Sequence, residues 1–284
     1  MSRAPQGPIT IRTMSSSDLE TALDWAAQEG WNPGLHDADC FMAADPAGFL
    51  MLCADGEPVG SISVVRYAEA FGFLGLYIVR PDWRGRGFGR RLWAAGLERL
   101  AGYRVGLDGV VERQADYARA GFVTAYRNIR FTGPPRPPGP PDPRIVPVDD
   151  VLLPAVLAFD RRFFPAPRDA FLRCWLRGEG RRARAYLADG RVVGYGVRRA
   201  CRLGHKVGPL FARDAAVAEA LLTDLIQGVA GPVAIDVSEP NRAAVRLAES
   251  LAFAPSFETA RMYRGARPDL PLAETFGVTT FELG

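Results

Sequence analysis

Apolar residues fall in two rhythms along this chain. Short apolar runs bounded by Gly, Asp and Pro alternate with stretches in which apolar residues recur at helical spacing. In "FLMLCADGEPVGSISVV", Phe49 to Val65, two apolar runs flank Asp55-Gly56, a dipeptide suited to a tight hairpin turn. "ARAYLADGRVVGYGVRR", Ala183 to Arg199, repeats that pattern. Around the first hairpin the pattern predicts a strand from about Ile9 and a helix opened by the capping box Ser17-Asp18-Leu19-Glu20. The irregular stretch "EGWNPGLHDADCF" follows. After the hairpin come a strand at Phe73 to Val79, a glycine-rich bend and a helix at about Gly89 to Ala101. A strand at Tyr103 to Leu107, a helix at about Glu112 to Ala120 and a strand at Phe122 to Phe131 complete the half. Strands alternating with helices after an antiparallel start predict an α/β domain with a mixed sheet.

The two hairpins belong to a longer echo. Asp55 and Asp189, Val59 and Val193, and Gly60 and Gly194 share one spacing, 134 residues, as do Ile11 and Ile145, and Leu19 and Leu153. "YARAGF" at Tyr117 to Phe122 is echoed by "AESLAF" at Ala248 to Phe253. An ordered set of matches indicates a duplicated domain. Between the copies lies "TGPPRPPGPPDPR", with seven prolines, which cannot join a helix or a central strand and tends to an extended form. The expected organisation is a domain at 1–131, a Pro-rich linker at 132–144 and a second domain at 145–284.

Composition narrows the function classes. The chain's 284 residues suit two ordinary domains, and 35 Lys+Arg against 32 Asp+Glu is too even to argue for a polyanion partner. Lys206 is the only lysine. No apolar run approaches the ~18 residues of a membrane span, and "MSRAPQGPITIR" lacks the apolar core of a signal peptide. Cys40, Cys53, Cys174 and Cys201 are scattered and form no CxxC pair, which argues against a metal or redox motif and makes a reducing cytoplasmic compartment the simplest reading. His36 and His205 stand alone, and no metal is expected.

The densest chemistry is "VRPDWRGRGFGRRLW", Val79 to Trp93. Gly85-x-Gly87-x-Gly89 followed by Arg90 lacks the GxGxxG spacing of a dinucleotide loop, and no Gly-Lys-Ser/Thr follows as in a P-loop. Three readings stay open from the residues alone. One is a tight strand-to-helix turn. Another is a nucleic-acid patch of Arg84, Arg86, Arg90 and Arg91, which the overall charge does not favour. The third is a cradle whose backbone N–H groups, at a helix N-terminus, hold a phosphate group.

Val79, Pro81, Arg84, Gly85, Gly87 and Gly89 match the acetyl-CoA motif V-x-P-x-x-R-G-x-G-x-G of the GNAT N-acetyltransferase superfamily, and "YARAGF" resembles its later Y-x-x-x-G-F motif. "EGWNPG", "GLDGV", "PAPRDAFLRCW" and the ending "TTFELG" further resemble a two-domain, YitH-type branch. The resemblance implies an α/β fold of two tandem GNAT-like domains, each a mixed, mostly antiparallel twisted sheet flanked by helices. It implies that acetyl-CoA is bound by Tyr77, Ile78, Val79, Arg84, Gly85, Arg86, Gly87, Phe88 and Gly89, with an N–H of Ile78 or Val79 polarising the thioester carbonyl. Tyr117 would protonate the leaving thiolate.

Glu29, Asp37, Asp39, Asp108 and Glu112 are the acidic candidates for taking the acceptor's proton. Asp108 is the foremost, because it ends the strand after the CoA-binding helix. Glu29, Trp31 and Asn32 would line the acceptor side. The second half has Ala248 in the place of Tyr117, and "VGPLFARDAAV", with Asp214, in the place of the cradle. It is therefore expected to keep the fold without binding CoA in the usual way, and either to complete the acceptor pocket across the interface or to stabilise the first half. "FFPAPRDAFLRCW" reads as a loop leading into an amphipathic helix, with Arg168 as an alternative anion-binding group.

The reading is an acetyl-CoA-dependent N-acetyltransferase acting on a small amine by direct attack in a ternary complex. The alternative is a non-catalytic acyl-CoA-binding or sensing protein. No nucleic acid or membrane partner is expected, and a monomer would follow if the paired domains replace a homodimer.

Overall fold

A computed structural model of the chain describes residues 7–68 and 71–284. The first six residues of the N-terminal stretch discussed above lie outside it. The first half runs β1 (Ile9–Thr13), α1 (Ser16–Gln28), α2 (Asp37–Ala44), β2 (Phe49–Ala54), β3 (Glu57–Tyr67), β4 (Phe71–Val79), α3 (Phe88–Arg99), β5 (Arg104–Val110), α4 (Gln114–Arg119) and β6 (Val123–Gly133). The second runs β7 (Ile145–Pro147), α5 (Leu153–Asp160), α6 (Asp169–Trp175), β8 (Arg181–Ala188), β9 (Arg191–Ala200), β10 (His205–Ala212), α7 (Ala215–Ile226), β11 (Val233–Ser238), α8 (Arg242–Ser250), β12 (Ala254–Arg264) and β13 (Thr275–Gly277).

Both expected hairpins form. Asp55 and Gly56 adopt φ 54° and 81°, and Asp189 and Gly190 adopt 50° and 71°, the left-handed pair that a two-residue turn between twisted strands requires. The capping box falls two residues earlier than expected. Ser15 is the N-cap of α1, its hydroxyl accepting from the Asp18 N–H, and the Asp18 carboxylate accepts from the Ser15 N–H at 2.8 Å. Asp18 thus takes the place expected for Glu20.

The α/β class expected from the sequence holds, and the sheets of the two halves join. The strand order is β1-β2-β3-β4-β5-β12-β6-β11-β10-β9-β8-β7, with β13 against β10. Among the described strands only β4/β5 and β10/β11 pair in parallel. The long strands β6 and β12 each cross to the other half: β12 pairs with β5, β6 pairs with β11, and β6 and β12 pair with each other across the centre. Thr132 and Gly133 are therefore strand residues, and the proline run leaves the sheet after them.

One core lies on each half. Leu92, Val105, Leu107 and Phe122 belong to the first, and Leu221, Leu225, Val233 and Phe253 to the second. A third core, with Leu23, Phe41, Phe49, Phe171 and Trp175, packs α1 and α2 of one half against α5 and α6 of the other. Within it Cys40 and Cys174 are disulfide-bonded. This corrects the expectation of reduced cysteines for that pair; Cys53 and Cys201 are free and buried. Asp37 accepts locally from the Gly34 N–H at 2.8 Å and, across the same interface, pairs with Arg181 and Arg199. Arg168, the alternative anion binder, is buried and spends its guanidinium on both oxygens of Asp160, at 2.9 and 2.8 Å.

Candidate active site

β4 and β5 pair only from Phe71–Leu74 against Arg104–Leu107. Beyond that β4 leans on β3, and β5 is held from its other side by β12. A cleft of about 790 Å³ opens between the diverging ends. The divergence has a local cause. The β3–β4 register shifts between Ser61 and Ser63, opposite Leu76, which adopts φ 43°. A bulge bends its strand, and a bulky residue at positive φ is strained by about 1–3 kcal/mol. The Ser61 hydroxyl holds the distortion by donating to the Leu76 carbonyl at 2.8 Å. Beside it, a Cβ on Gly75 would lie 2.3 Å from the Glu282 carbonyl oxygen. The glycine is what lets the C-terminal segment cross β4 at this point.

The glycine bend closes one end of the cleft. Gly85 and Gly87 adopt φ 77° and 79°, and Gly87 is the N-cap of α3 with no side chain capping it. The first-turn N–H groups have no intrahelical acceptors and stand at the positive end of the helix dipole. The arginines of the bend mostly serve the protein itself. Arg84 donates from Nε to the Val79 carbonyl at 2.8 Å and pairs with Glu29. Arg86 stacks over Trp83 and donates to the Asp82 carbonyl at 3.0 Å. Arg90 lines the cleft, as do Arg113 and Arg119, both paired with Asp116. In the second half the corresponding N-terminus, that of α7, is filled. Asp214 is its N-cap, accepting from the Val217 N–H at 2.9 Å, and that bond holds its carboxyl below the ordinary range.

Of the residues singled out from the sequence, Glu29, Trp31, Tyr77, Ile78, Val79, Arg84, Gly85, Gly87, Gly89, Asp108, Glu112 and Tyr117 line this one cleft. The side chains of Arg86, Phe88, Asn32, Asp37 and Asp39 do not. Phe88 packs on Trp83 in the first-half core. Asn32 grips the second half, donating to the Leu203 carbonyl at 2.9 Å and accepting from its N–H at 2.8 Å.

Tyr117 is 7% exposed and stacks on Trp93 with ring centroids 5.4 Å apart. Burial pushes its phenol well above the ordinary value. Asp108 does not end its strand, because β5 continues to Val110 in register with β12. Its oxygens accept from Arg261 Nε and Nη2 at 2.9 and 2.8 Å, and from Asn128 Nδ2 at 2.8 Å. The Trp31 carbonyl accepts from Arg130 at 2.8 Å and Lys206 at 3.2 Å, which fixes the irregular stretch over the cleft.

The far wall comes from the second half, one of the two roles open to it from the sequence, through residues that the sequence does not single out. Phe257 and Thr259 of β12 and Phe281 and Glu282 of the C-terminal segment line it. Arg130 lies over both aromatic rings, 5.4 and 5.1 Å from their centroids, while its guanidinium grips Asp236 at 2.6 and 2.9 Å. The one signal in the sequence was the ending "TTFELG", which marks the segment without saying where it lies.

The two halves share one plan, a parallel strand pair joined through a helix, and only the first leaves that helix N-terminus glycine-opened and without a side-chain cap; this is the architecture of an acyltransferase. The chain belongs to the GNAT family and is an acyltransferase with two GNAT domains in tandem: residues 16–122 match the Acetyltransferase (GNAT) family and residues 156–277 the Acetyltransferase (GNAT) domain. It is 32% identical over 282 residues to the holothin acyltransferase of Pseudoalteromonas sp. (strain SANK 73390), covering 97% of this chain and 94% of that one. Among solved structures, a putative acetyltransferase from Pyrococcus horikoshii superposes with TM-score 0.83 at 22% identity, covering 100% of this chain and 99% of that one. A tandem GNAT protein from the clavulanic acid biosynthesis pathway superposes with TM-score 0.61 at 16% identity, covering 92% and 100%. At such identities these two structures speak to the fold alone. Among the described residues no helix is long and apolar enough to cross a membrane.

Proposed function

We propose that this acyltransferase moves an acetyl group from acetyl-CoA to the primary amine of a small molecule, by direct attack in a ternary complex in the first-half cleft. The observation that carries the reading is the cleft itself, where an uncapped helix N-terminus and an unpaired strand edge meet one continuous cavity. The cradle suits a pyrophosphate, because Gly85 and Gly87 turn at positive φ and the first-turn N–H groups of α3 are free of intrahelical acceptors. Arg90 adds positive charge to that end of the cleft. Beyond Leu74 the β4 edge lacks a β5 partner, so N–H groups of Tyr77 to Val79 suit the pantetheine arm. One of them, on Ile78 or Val79, would polarise the thioester carbonyl as it gains negative charge.

Tyr117 is the proton donor in this reading. Its buried phenol stays protonated at neutral pH, and it would protonate a thiolate whose thiol pKa is roughly 8.5. A small acceptor fits the enclosing walls of Trp31, Phe257 and Phe281. The test is thiol release from acetyl-CoA across a library of primary amines. Amine-dependent release, with the N-acetyl product seen by mass spectrometry, is the expected result. CoA binding without turnover across the library would replace this reading with a non-catalytic acyl-CoA sensor.

A further inference from the structure

The cleft contains polar atoms with nothing to bind. Several buried side-chain N and O atoms have no hydrogen-bond partner among the described residues; those on cleft-lining residues are Thr259 Oγ1 and Glu282 Oε2. Leaving such a group unsatisfied costs about 1–3 kcal/mol, more when it is charged. Both residues are nearly inaccessible, Thr259 at 1% and Glu282 at 3% exposed. Both belong to the second half but reach the first-half cleft by separate routes, Thr259 on the exchanged strand β12 opposite Val110 and Glu282 on the segment that crosses Gly75. Glu282 lies near the charges of Arg130, Arg199 and Lys206, yet its Oε2 accepts no hydrogen bond from them, whereas the other acidic groups of the cleft are paired: Asp108 by Arg261 and Asn128, Glu29 by Arg84, and Asp116 by Arg113 and Arg119. Glu112 sits on the exposed rim.

We propose that Thr259 and Glu282 form the acceptor-amine subsite, with the Glu282 carboxylate taking the proton that the attacking ammonium must lose. The inference rests on the reading of the cleft as an amine acetyltransferase site. The ammonium donates N–H groups to Glu282 Oε2 and Thr259 Oγ1, which completes both. One proton passes to the carboxylate, and the freed lone pair attacks the thioester carbonyl. The C–N bond forms and the C–S bond breaks. The sulfur leaves as a thiolate and takes a proton from Tyr117. The nitrogen sheds its second proton, which restores the Tyr117 phenol, and Glu282 returns its own proton to solvent. The balance is one amide, one thiol and one released proton. The second GNAT domain, whose own cradle is filled, thereby supplies the acceptor chemistry for the first.

The test compares wild type with E282Q and T259V in the full chain. Thiol release is followed with alkylamines, which are protonated in neutral buffer, and with arylamines, which are not; CoA affinity is measured by calorimetry. For alkylamines, E282Q is expected to lower kcat/KM by roughly a hundredfold or more, and by much less for arylamines, with CoA affinity unchanged. T259V is expected to raise the acceptor KM while kcat changes little, and it reads the subsite independently if E282Q folds poorly. If wild type transfers to no amine, the acetyltransferase reading itself fails. If wild type transfers but E282Q and T259V match it on alkylamines, or if E282Q loses alkylamine and arylamine activity equally, the inference is overturned while that reading stands.

Discussion

Arg261 of β12 holds Asp108 of β5 through two parallel N–H···O bonds of 2.9 and 2.8 Å, and the two residues face each other in the ladder that joins the halves. Asp108 was the foremost candidate base from the sequence, yet its charge is matched by a guanidinium that is itself buried. Asp108→Asn would leave Arg261 without its counter-charge, and removing one partner of a buried pair typically destabilises by about 3–5 kcal/mol. The expected outcome is a large stability loss in urea unfolding. Asp108→Asn combined with Arg261→Met is expected to recover a substantial part of it. A D108N protein as stable as wild type but without activity would return Asp108 to a chemical role.

The cradle makes a separate prediction. Gly87→Val places a branched side chain at φ 79°, at the mouth of the helix N-terminus. CoA affinity is expected to fall at least about tenfold, which corresponds to 1.4 kcal/mol, alongside a stability loss of about 1–3 kcal/mol from backbone strain. Gly102→Val is the control, because Gly102 has φ 81° but follows α3 at the end remote from the cradle. It should lose stability while keeping CoA affinity. Equal loss of affinity in both variants would show that the cradle plays no special part.

The sequence made local features legible and left long-range ones hidden. Asp55-Gly56 and Asp189-Gly190 announce their turns because few other residues tolerate that backbone, and the glycines of the bend do so for the same reason. The cap of α1 was displaced because a run of three serines offers several N-caps and Asp18 can close the box as well as Glu20. Asp108-Gly109 reads as a turn in sequence, and it is Arg261, 153 residues away, together with Asn128, that lets an aspartate sit inside the ladder. The strand exchange of β6 and β12 and the arrival of Glu282 at Gly75 depend on which edges meet in three dimensions. No periodicity within either half encodes that.

The same logic explains the disulfide. Cys40 and Cys174 are 134 residues apart, the spacing of the internal repeat. Equivalent positions near the axis relating two copies of a fold come together, and here α2 meets α6 with Cα atoms 5.2 Å apart. Protein unfolded without reductant should expose two reactive thiols, Cys53 and Cys201, and all four only after reduction. Peptide mapping should recover the Cys40–Cys174 link. Cys174→Ser is expected to lower stability by about 2–4 kcal/mol, since the bond closes a long loop. Four reactive thiols before reduction would refute the pairing.

Lys206 makes stability depend on pH in an unusual direction. Burial, followed by the nearby charges of Arg130 and Arg199, lowers its ammonium from 10.5 to about 8. Between those values the folded chain has released a proton that the unfolded chain still holds, so stability rises with pH across that window. Buried tyrosines act oppositely: burial raises the phenols of Tyr67, Tyr117 and Tyr126, so their contribution is lost as pH climbs past the ordinary phenol value of about 10. The measurement is therefore the difference between wild type and Lys206→Met, by urea unfolding from about pH 7.5 to about pH 9.5. Wild type should gain on the order of 2 kcal/mol relative to the variant over that interval. Because Lys206 also donates to the Trp31 carbonyl over the cleft, the variant should bind the acceptor more weakly while CoA affinity is unchanged. Parallel stability curves for the two proteins would mean that Lys206 keeps its proton in the fold.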